Sequence, residues 1–154
     1  MRSDLAGFLV DSNILIYVHD PRDQTKQERA FEVLDRLIKS KSAVISVQCL
    51  SEFFSTVRWK LPEPLSQLHA LAQVESFTLT CRVLSLTPHA VLEACRCSNS
   101  YGLSIWDSLT WAVARLNGVP SIVTEDNEHG RMIEGVRYLN PFHQDFDMAL
   151  LRVS

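Results

Sequence analysis

The stretch FLVDSNILIY, residues 8–17, places one carboxylate, Asp11, inside an otherwise apolar run. A buried carboxylate costs free energy unless it is hydrogen-bonded, paired with a charge or bound to a cation. The apolar residues before it predict a short internal strand of a parallel sheet from Gly7 to Asp11, with a helix directly after it. The rest of the sequence must therefore supply the groups that surround Asp11.

The composition predicts one globular domain over residues 1–154. The chain has 46% hydrophobic and 21% charged residues, which is enough for one core and too little length for two ordinary domains. Its net charge of −3 gives no global positive field, so a nucleic-acid partner would need a local basic patch or bound cations. No apolar run is long enough for a signal peptide or a membrane span, which predicts a cytoplasmic protein with no membrane partner.

Strands and helices are predicted to alternate along the chain. Strands are expected at 7–11, 43–47, 82–86 and 121–126, with an edge strand at 136–142. Helices are expected over 23–41, 49–60, 65–72, 87–97 and 104–118. This alternation predicts an α/β protein, a three-layer α/β/α sandwich around a mostly parallel sheet of four to five strands.

Four acidic side chains are expected to meet at one edge of this sheet, because functional residues of parallel sheets gather at the carboxyl ends of the strands. Asp11 and Asp126 end the first and fourth strands. Glu52 follows the second strand closely, and Asp107 lies in the first turn of the helix opened by Ser104. Clustered carboxylates repel one another unless a cation is present, and ligation by oxygen alone favours Mg²⁺ or Mn²⁺ over zinc. Such ions suit phosphodiester hydrolysis by water.

Each acid also has an ordinary structural interpretation. Asp11 could be a helix N-cap, and Glu52 could belong to a solvated helix face. Asp107 could complete a capping box with Ser104, and Asp126 could form a turn. These four interpretations require four unrelated coincidences at one sheet edge, whereas a metal site requires one cause.

The cysteines and histidines do not predict a zinc site. Cys95 and Cys97 form a C-x-C pair without a second pair, and the five histidines lack the spacing of paired metal ligands. Without a secretory signal, the four cysteines are expected to be reduced.

Five segments of the chain resemble the PIN-domain family, and specifically the VapC-type toxin ribonucleases of toxin–antitoxin pairs. They are, in the family's order, FLVDSNILIY, SVQCLSEFF, LSIWDSLTWAVA, IVTEDNEHG and VRYLNPF. The resemblance implies an endoribonuclease that cuts RNA with water and holds Mg²⁺ or Mn²⁺ through four catalytic acids, Asp11, Glu52, Asp107 and Asp126. It also implies a small VapB-like antitoxin as partner and a homodimer.

Further residues are expected to support the acids or to contact the substrate, namely Ser12, Asn13, Thr124, Glu125 and Arg131. Ser12, Asn13 and Thr124 match small polar positions of the family. Glu125 adjoins Asp126 and could reach a second metal, although only one of the two should face the site if the strand persists to that point. Arg131 is the best basic candidate for the rim of the site.

Other residues leave alternatives open. Trp59 and Trp106 could stack on bases or pack in the core or an interface. His129 could contact the substrate or be an ordinary surface residue. The apolar residues at 14–18 exceed the needs of one helix face, which would suit a groove for another chain.

Two other functions compete with the toxin. The first is a catalytically silent PIN-like module that binds RNA or protein, which the loss of an acid would indicate; all four acids are present. The second is a phosphatase or phospho-acceptor domain with Asp11 as nucleophile. Asp11-Ser12-Asn13 lacks a second aspartate two residues on, which argues against it.

Overall fold

The computed structural model describes residues 7–152, in which six strands form one sheet. The order across the sheet is β3-β2-β1-β4-β6-β5. The neighbouring strands are parallel except β5 and β6, which are antiparallel. The strands are β1 (Phe8–Val10), β2 (Ala43–Ser46), β3 (Arg82–Leu84), β4 (Ser121–Val123), β5 (Met132–Ile133) and β6 (Val136–Leu139).

Within residues 7–152, six α-helices and one short 3₁₀ helix (Met148–Leu151) accompany the sheet. The α-helices are α1 (Ser12–Tyr17), α2 (Gln24–Lys39), α3 (Val47–Trp59), α4 (Gln67–Thr80), α5 (Pro88–Tyr101) and α6 (Ile105–Leu116). Each α-helix begins after a side chain that accepts a hydrogen bond from a backbone N–H of the first turn, as expected for good N-caps. These caps are Asp11, Asp23, Ser46, Ser66, Thr87 and Ser104.

The two faces of the sheet carry separate hydrophobic cores because successive strand residues point to opposite sides. In β1, Val10 joins the core that includes buried residues of α1 to α4. Its neighbour Leu9 joins the core that includes buried residues of α5 and α6. The predicted three-layer sandwich with a mostly parallel sheet is confirmed.

The sheet has one more strand than expected, since β5 is only two residues long and has no apolar run to mark it. The fourth strand ends at Val123 instead of extending to Asp126. The apolar segment 14–18 packs largely inward, although Val18 lines an open surface depression together with residues of α2. Ile14 and Leu15 are buried in the core, and the other three residues pack against it.

Two further features concern exposed and reduced side chains. Trp59 and Trp106 lie outside the core, with 69% and 62% of their surfaces exposed. The four cysteines are free, in agreement with the prediction.

Among the residues that the structure describes, no helix has the length and apolar character needed to cross a membrane.

Candidate metal and active site

The site lies where the two central strands, β1 and β4, end side by side. The strands that follow β1 in the chain, β2 and β3, lie on one side of the central pair. The strands that follow β4 in the chain, β5 and β6, lie on the other side, where β6 is the neighbour of β4. This change of direction is a topological switch point, where parallel sheets leave a crevice at the carboxyl ends of their strands. Asp11 follows β1 directly, and Thr124 to Asp126 follow β4.

Asp11 is buried, with 7% of its surface exposed, and it serves both as a helix cap and as the inner acid of the site. Its Oδ1 accepts a hydrogen bond of 2.8 Å from the backbone N–H of Ser12, which caps α1. The Cys49 thiol donates a weaker bond of 3.7 Å to the same oxygen. The N-cap interpretation is therefore correct, and it does not exclude a metal-binding role.

Thr124 links Asp11 to the loop that carries Asp126. Its hydroxyl donates a 2.9 Å bond to Asp11 Oδ2. The Thr124 hydroxyl oxygen also accepts bonds from the Asn13 side-chain amide at 3.1 Å and from the backbone N–H of Asp126 at 3.0 Å. One donor and two acceptor positions are all that a hydroxyl offers, so Thr124 is fully bonded.

Asp107 and Asp126 complete a cluster of three acids with Asp11. One carboxylate oxygen from each can be chosen so that all three lie within 4.8 Å of one another. Asp107 is placed by the start of α6, where the Ser104 hydroxyl accepts a 3.1 Å bond from the Asp107 backbone N–H. The expected Ser104 cap is thus present, and it leaves the Asp107 side chain close to the other two acids.

The electrostatics of the cluster favour protonation or a bound cation. Burial raises the pKa of Asp11 to about 6, and the charges of Asp126 and Glu52 add to the rise, against the hydrogen bonds from Thr124 and Ser12. Burial also raises the pKa of Asp107, and Asp126 adds to that rise. A divalent ion would remove this cost.

Glu52 also lies close to Asp11. It belongs to a second group in which ligand atoms of Asp11, Cys49 and Glu52 lie within 4.8 Å of one another. Its Oε1 accepts a 3.2 Å bond from the Ser12 hydroxyl. The structure therefore places the other three predicted acids near Asp11, but Glu52 is not grouped with Asp107 and Asp126.

Glu125 is held by a different set of groups. Its carboxylate accepts hydrogen bonds from the Tyr17 hydroxyl and the Lys26 ammonium. Because β4 ends at Val123, strand alternation does not decide between Glu125 and Asp126. The Asn13 side-chain oxygen accepts a 3.4 Å bond from the Glu125 backbone N–H.

The remaining predicted residues lie near the rim or form structural contacts. Arg131 donates bonds to the Asn127 side chain at 3.3 Å and to the Tyr101 carbonyl at 3.2 Å. His129 Nδ1 accepts a 3.0 Å bond from the Asn140 backbone N–H, so this nitrogen is engaged within the chain.

The acids face a narrow cleft whose walls include residues that the sequence did not single out. The lining residues are Asp11, Asp107, Thr110, Ile122, Thr124, Asp126, Asn127 and Tyr138. Thr110 lies one helical turn after Asp107, a spacing that places both on one face of α6. Helical spacing could therefore have indicated Thr110, whereas Tyr138 and Cys49 have no local pattern that points to an acidic site.

The donor set fits a hard divalent cation. It offers carboxylate oxygens from Asp11, Asp107 and Asp126, which are the ligands that Mg²⁺ and Mn²⁺ prefer. The Cys49 thiol is a poor ligand here, because burial raises its pKa far above the usual range and keeps it protonated. The three acids thus form an oxygen site, and the nearby Cys49 thiol stays protonated instead of acting as a ligand.

Thr124→Val is expected to weaken the site without changing its shape, since valine and threonine are nearly isosteric. The variant loses the bond to Asp11 and leaves the Asp126 backbone N–H without this acceptor. We expect Mn²⁺ affinity to fall by about 10- to 100-fold, as for other groups that orient metal ligands. Isothermal titration calorimetry would measure it. Thr124→Ser, which keeps the hydroxyl, is the control, and equal affinity for both variants would contradict the role of this hydroxyl.

Family comparison agrees with this architecture. The family model for the PIN domain matches residues 8–134. The chain therefore belongs to the PIN domain family. A comparison with curated protein sequences gives no match.

Three solved structures illustrate the shared fold. A toxin–antitoxin complex from Klebsiella pneumoniae has a TM-score of 0.66 and 18% identity, covering 88% of this chain and 98% of its own. DNA-bound VapBC from Salmonella typhimurium has a TM-score of 0.60 and 21% identity, covering 86% and 96%. VapC20 from Mycobacterium tuberculosis, described as a sarcin–ricin loop cleaving toxin, has a TM-score of 0.58 and 19% identity, covering 75% and 87%. At these identities, the likeness is one of fold.

Proposed function

We propose that the chain is a single-domain, metal-dependent endoribonuclease that acts as the toxin of a toxin–antitoxin pair. The observation that carries the proposal is the cluster of Asp11, Asp107 and Asp126 at the carboxyl ends of the central strands. Membership of the PIN domain family supports it. The description of the similar VapC20 as a sarcin–ricin loop cleaving toxin supports RNA as the substrate class.

The three clustered acids would hold Mg²⁺ or Mn²⁺, and Glu52 would extend the acidic group on the α3 side. When bound, such an ion activates water and offsets the charge that develops on a phosphodiester. The chain itself orients these acids, since Thr124 fixes both Asp11 and the start of the Asp126 loop. Arg131 would contribute positive charge at the rim of the cleft.

RNA bases would find an exposed aromatic ring next to the acids. Trp106 immediately precedes Asp107 and is 62% exposed, and its carbonyl accepts a 3.3 Å bond from the Gln48 side chain. Base stacking on exposed aromatic rings tolerates many sequences. We therefore assign Trp106 to substrate contact.

The function is tested by incubating the purified protein with total RNA and Mg²⁺, Mn²⁺ or EDTA. We expect discrete fragments that require the metal, and their mapped ends would identify the RNA that is cut. Wild-type protein that binds Mn²⁺ but leaves all RNA intact under these conditions would favour a silent binding module. Absence of both metal binding and cleavage would overturn the proposal.

A VapB-like antitoxin and a second copy of the chain are the proposed protein partners, in the cytoplasm. The descriptions of similar structures as toxin–antitoxin complexes support the antitoxin. On this chain, large apolar side chains are exposed on α3 and α4, on the side of the sheet that faces away from α5 and α6. They are Val47, Trp59, Leu68, Leu71 and Leu79. Exposed apolar side chains that lie together are typical of protein contacts, and we propose this side of the chain as the partner surface.

Leu68→Glu is expected to disrupt a partner contact with little effect on folding, because Leu68 is 78% exposed. A buried charge at an interface is costly, so the dimer or antitoxin complex should dissociate more readily. Size-exclusion chromatography with light scattering, alone and with the antitoxin co-expressed, would measure this. The control is Leu92→Glu on α5, which is 69% exposed on the opposite side of the sheet. Identical assemblies for both variants would rule out the α4 surface.

A further inference from the structure

One buried hydroxyl in the acidic cleft has no hydrogen-bond partner. Four buried side-chain polar atoms of the described residues lack a partner, on His19, Arg58, Ser108 and Tyr138. Of these four residues, only Tyr138 is among those that line the cleft between the acids. Buried hydroxyls are normally bonded, so an unpartnered one at a candidate active site calls for an explanation.

The position of Tyr138 follows from the register of β6. Tyr138 pairs with Ile122 of β4 in the parallel ladder, two residues before Thr124. It is 3% exposed and belongs to the core that includes residues of α5 and α6, Trp111 among them. The residue thus spans from the hydrophobic core to the cleft, where Asp11, Asp107 and Asp126 also lie.

Packing alone does not account for a tyrosine at this place. Phenylalanine would fill nearly the same volume without burying a hydroxyl, and burying an unbonded hydroxyl costs free energy. Asn127 lies close enough to act as a hydrogen-bond donor to the phenol oxygen, which lowers the pKa of Tyr138, although no bond of normal geometry joins the two side chains. A donor to this oxygen would leave the O–H proton of Tyr138 unused. The hydroxyl is therefore available to a group that enters the cleft.

We propose that the Tyr138 hydroxyl is a ligand-binding group of the acidic cleft. It donates a hydrogen bond to an oxygen atom that is bound between the three acids. The inference rests on the proposed function only for the identity of the substrate. The acceptor oxygen belongs either to the hydration shell of a divalent cation or to a phosphate group, and both present lone pairs to a donor.

The protonation state of Tyr138 suits a donor. Burial raises its pKa well above the usual range, and the nearby negative charge of Asp107 acts in the same direction. The phenol therefore keeps its proton near neutral pH. A neutral donor facing three carboxylates also adds no further negative charge to the cluster.

Tyr138→Phe tests the proposal by separating binding from folding. Because the hydroxyl has no partner to lose, we expect the melting temperature of the metal-free variant to stay the same or to rise. We expect the ligand affinity of the cleft to fall by about tenfold, as is usual for groups that orient a metal site. One arm measures Mn²⁺ binding by calorimetry without RNA. The other measures binding of inorganic phosphate at saturating Mg²⁺ by phosphorus NMR.

The two arms distinguish the two sources of the acceptor. Weaker Mn²⁺ binding would assign the acceptor to the hydrated cation, and unchanged Mn²⁺ binding with weaker phosphate binding would assign it to phosphate. Tyr101→Phe is the matched control, since its hydroxyl donates a 3.0 Å bond to Glu134 outside the cleft. We expect that control to lower the melting temperature slightly and to leave both affinities unchanged.

Unchanged affinities in both arms for Tyr138→Phe would overturn the proposal, whatever happens to the melting temperature. The outcome does not depend on RNA cleavage. If wild-type protein fails to cleave RNA while Tyr138→Phe still loses ligand affinity, the proposed function fails and the role of Tyr138 stands.

Discussion

Asp107→Asn is expected to fold like the wild type and to cleave RNA about a thousandfold more slowly. The amide keeps the shape of the side chain but removes one of three clustered charges, and metal ions contribute several kcal/mol to such reactions at about 1.4 kcal/mol per tenfold in rate. The Ser104 cap should survive, because it bonds the Asp107 backbone N–H. Initial rates of RNA cleavage at saturating Mn²⁺ would measure the loss.

Folding of this variant can be checked independently. Burial and Asp126 raise the pKa of Asp107, so replacing its charge should leave the metal-free protein as stable as the wild type or more so. The added metal should then raise the melting temperature less than it does for the wild type. Asp35→Asn on α2, where Asp35 pairs with Lys39 at 2.9 Å, is the control for an aspartate outside the site. Near-normal metal-dependent cleavage by Asp107→Asn would show that Asp107 has been assigned wrongly.

The second large effect is a dependence of stability on pH that the metal removes. The pKa of Asp11 rises from its ordinary 3.8 to about 6 in the folded chain. Well below pH 3.8, Asp11 is protonated in both the folded and the unfolded state and carries no penalty. As the pH rises from about 3.8 to about 6, the carboxyl ionises in the unfolded state while it keeps its proton in the folded state, so the folded state loses about 3 kcal/mol of relative stability.

This loss should appear in the chelated protein and shrink when Mg²⁺ is added, because the ion stabilises the ionised carboxylate. Urea unfolding between pH 4 and 8, with EDTA or with Mg²⁺, would measure both. Asp11→Asn corrects for the other titrating groups. In EDTA, the free energy of unfolding of Asp11→Asn minus that of the wild type should increase between pH 4 and 6. Above pH 6, this difference should stay constant. Parallel curves for the two proteins would contradict the raised pKa of Asp11.

The fold was predictable because its signals are local. Apolar runs of strand length and helices with strong caps mark most of the elements, as in the Thr87-Pro88 start of α5. The placement of Asp11 at the end of β1 followed from one such run. The two-residue strand β5 could not be foreseen, since it exists through pairing with β6 after the turn at Glu134 and Gly135, both of which have positive φ.

The site was predictable in its acids and less so in their surroundings. Parallel topology brings strand ends together, and this rule predicted the proximity of Asp11, Asp107 and Asp126 and the position of Glu52 near Asp11. The pairing of Glu125 with Lys26 and Tyr17 joins segments about a hundred residues apart, and no spacing rule encodes it. The unpartnered hydroxyl of Tyr138 is likewise a property of three-dimensional packing.

The hydrogen bonds of Asp11 limit how it can act as a ligand. A carboxylate has about four lone-pair positions, two on each oxygen. Ser12 and Cys49 occupy those of Oδ1, and Thr124 occupies one of those of Oδ2. One lone pair therefore remains, so Asp11 can offer a cation a single bond. Asp107 and Asp126 would then hold the ion together with Asp11, and water or a substrate oxygen would supply further ligands, which suits an ion that keeps part of its hydration shell.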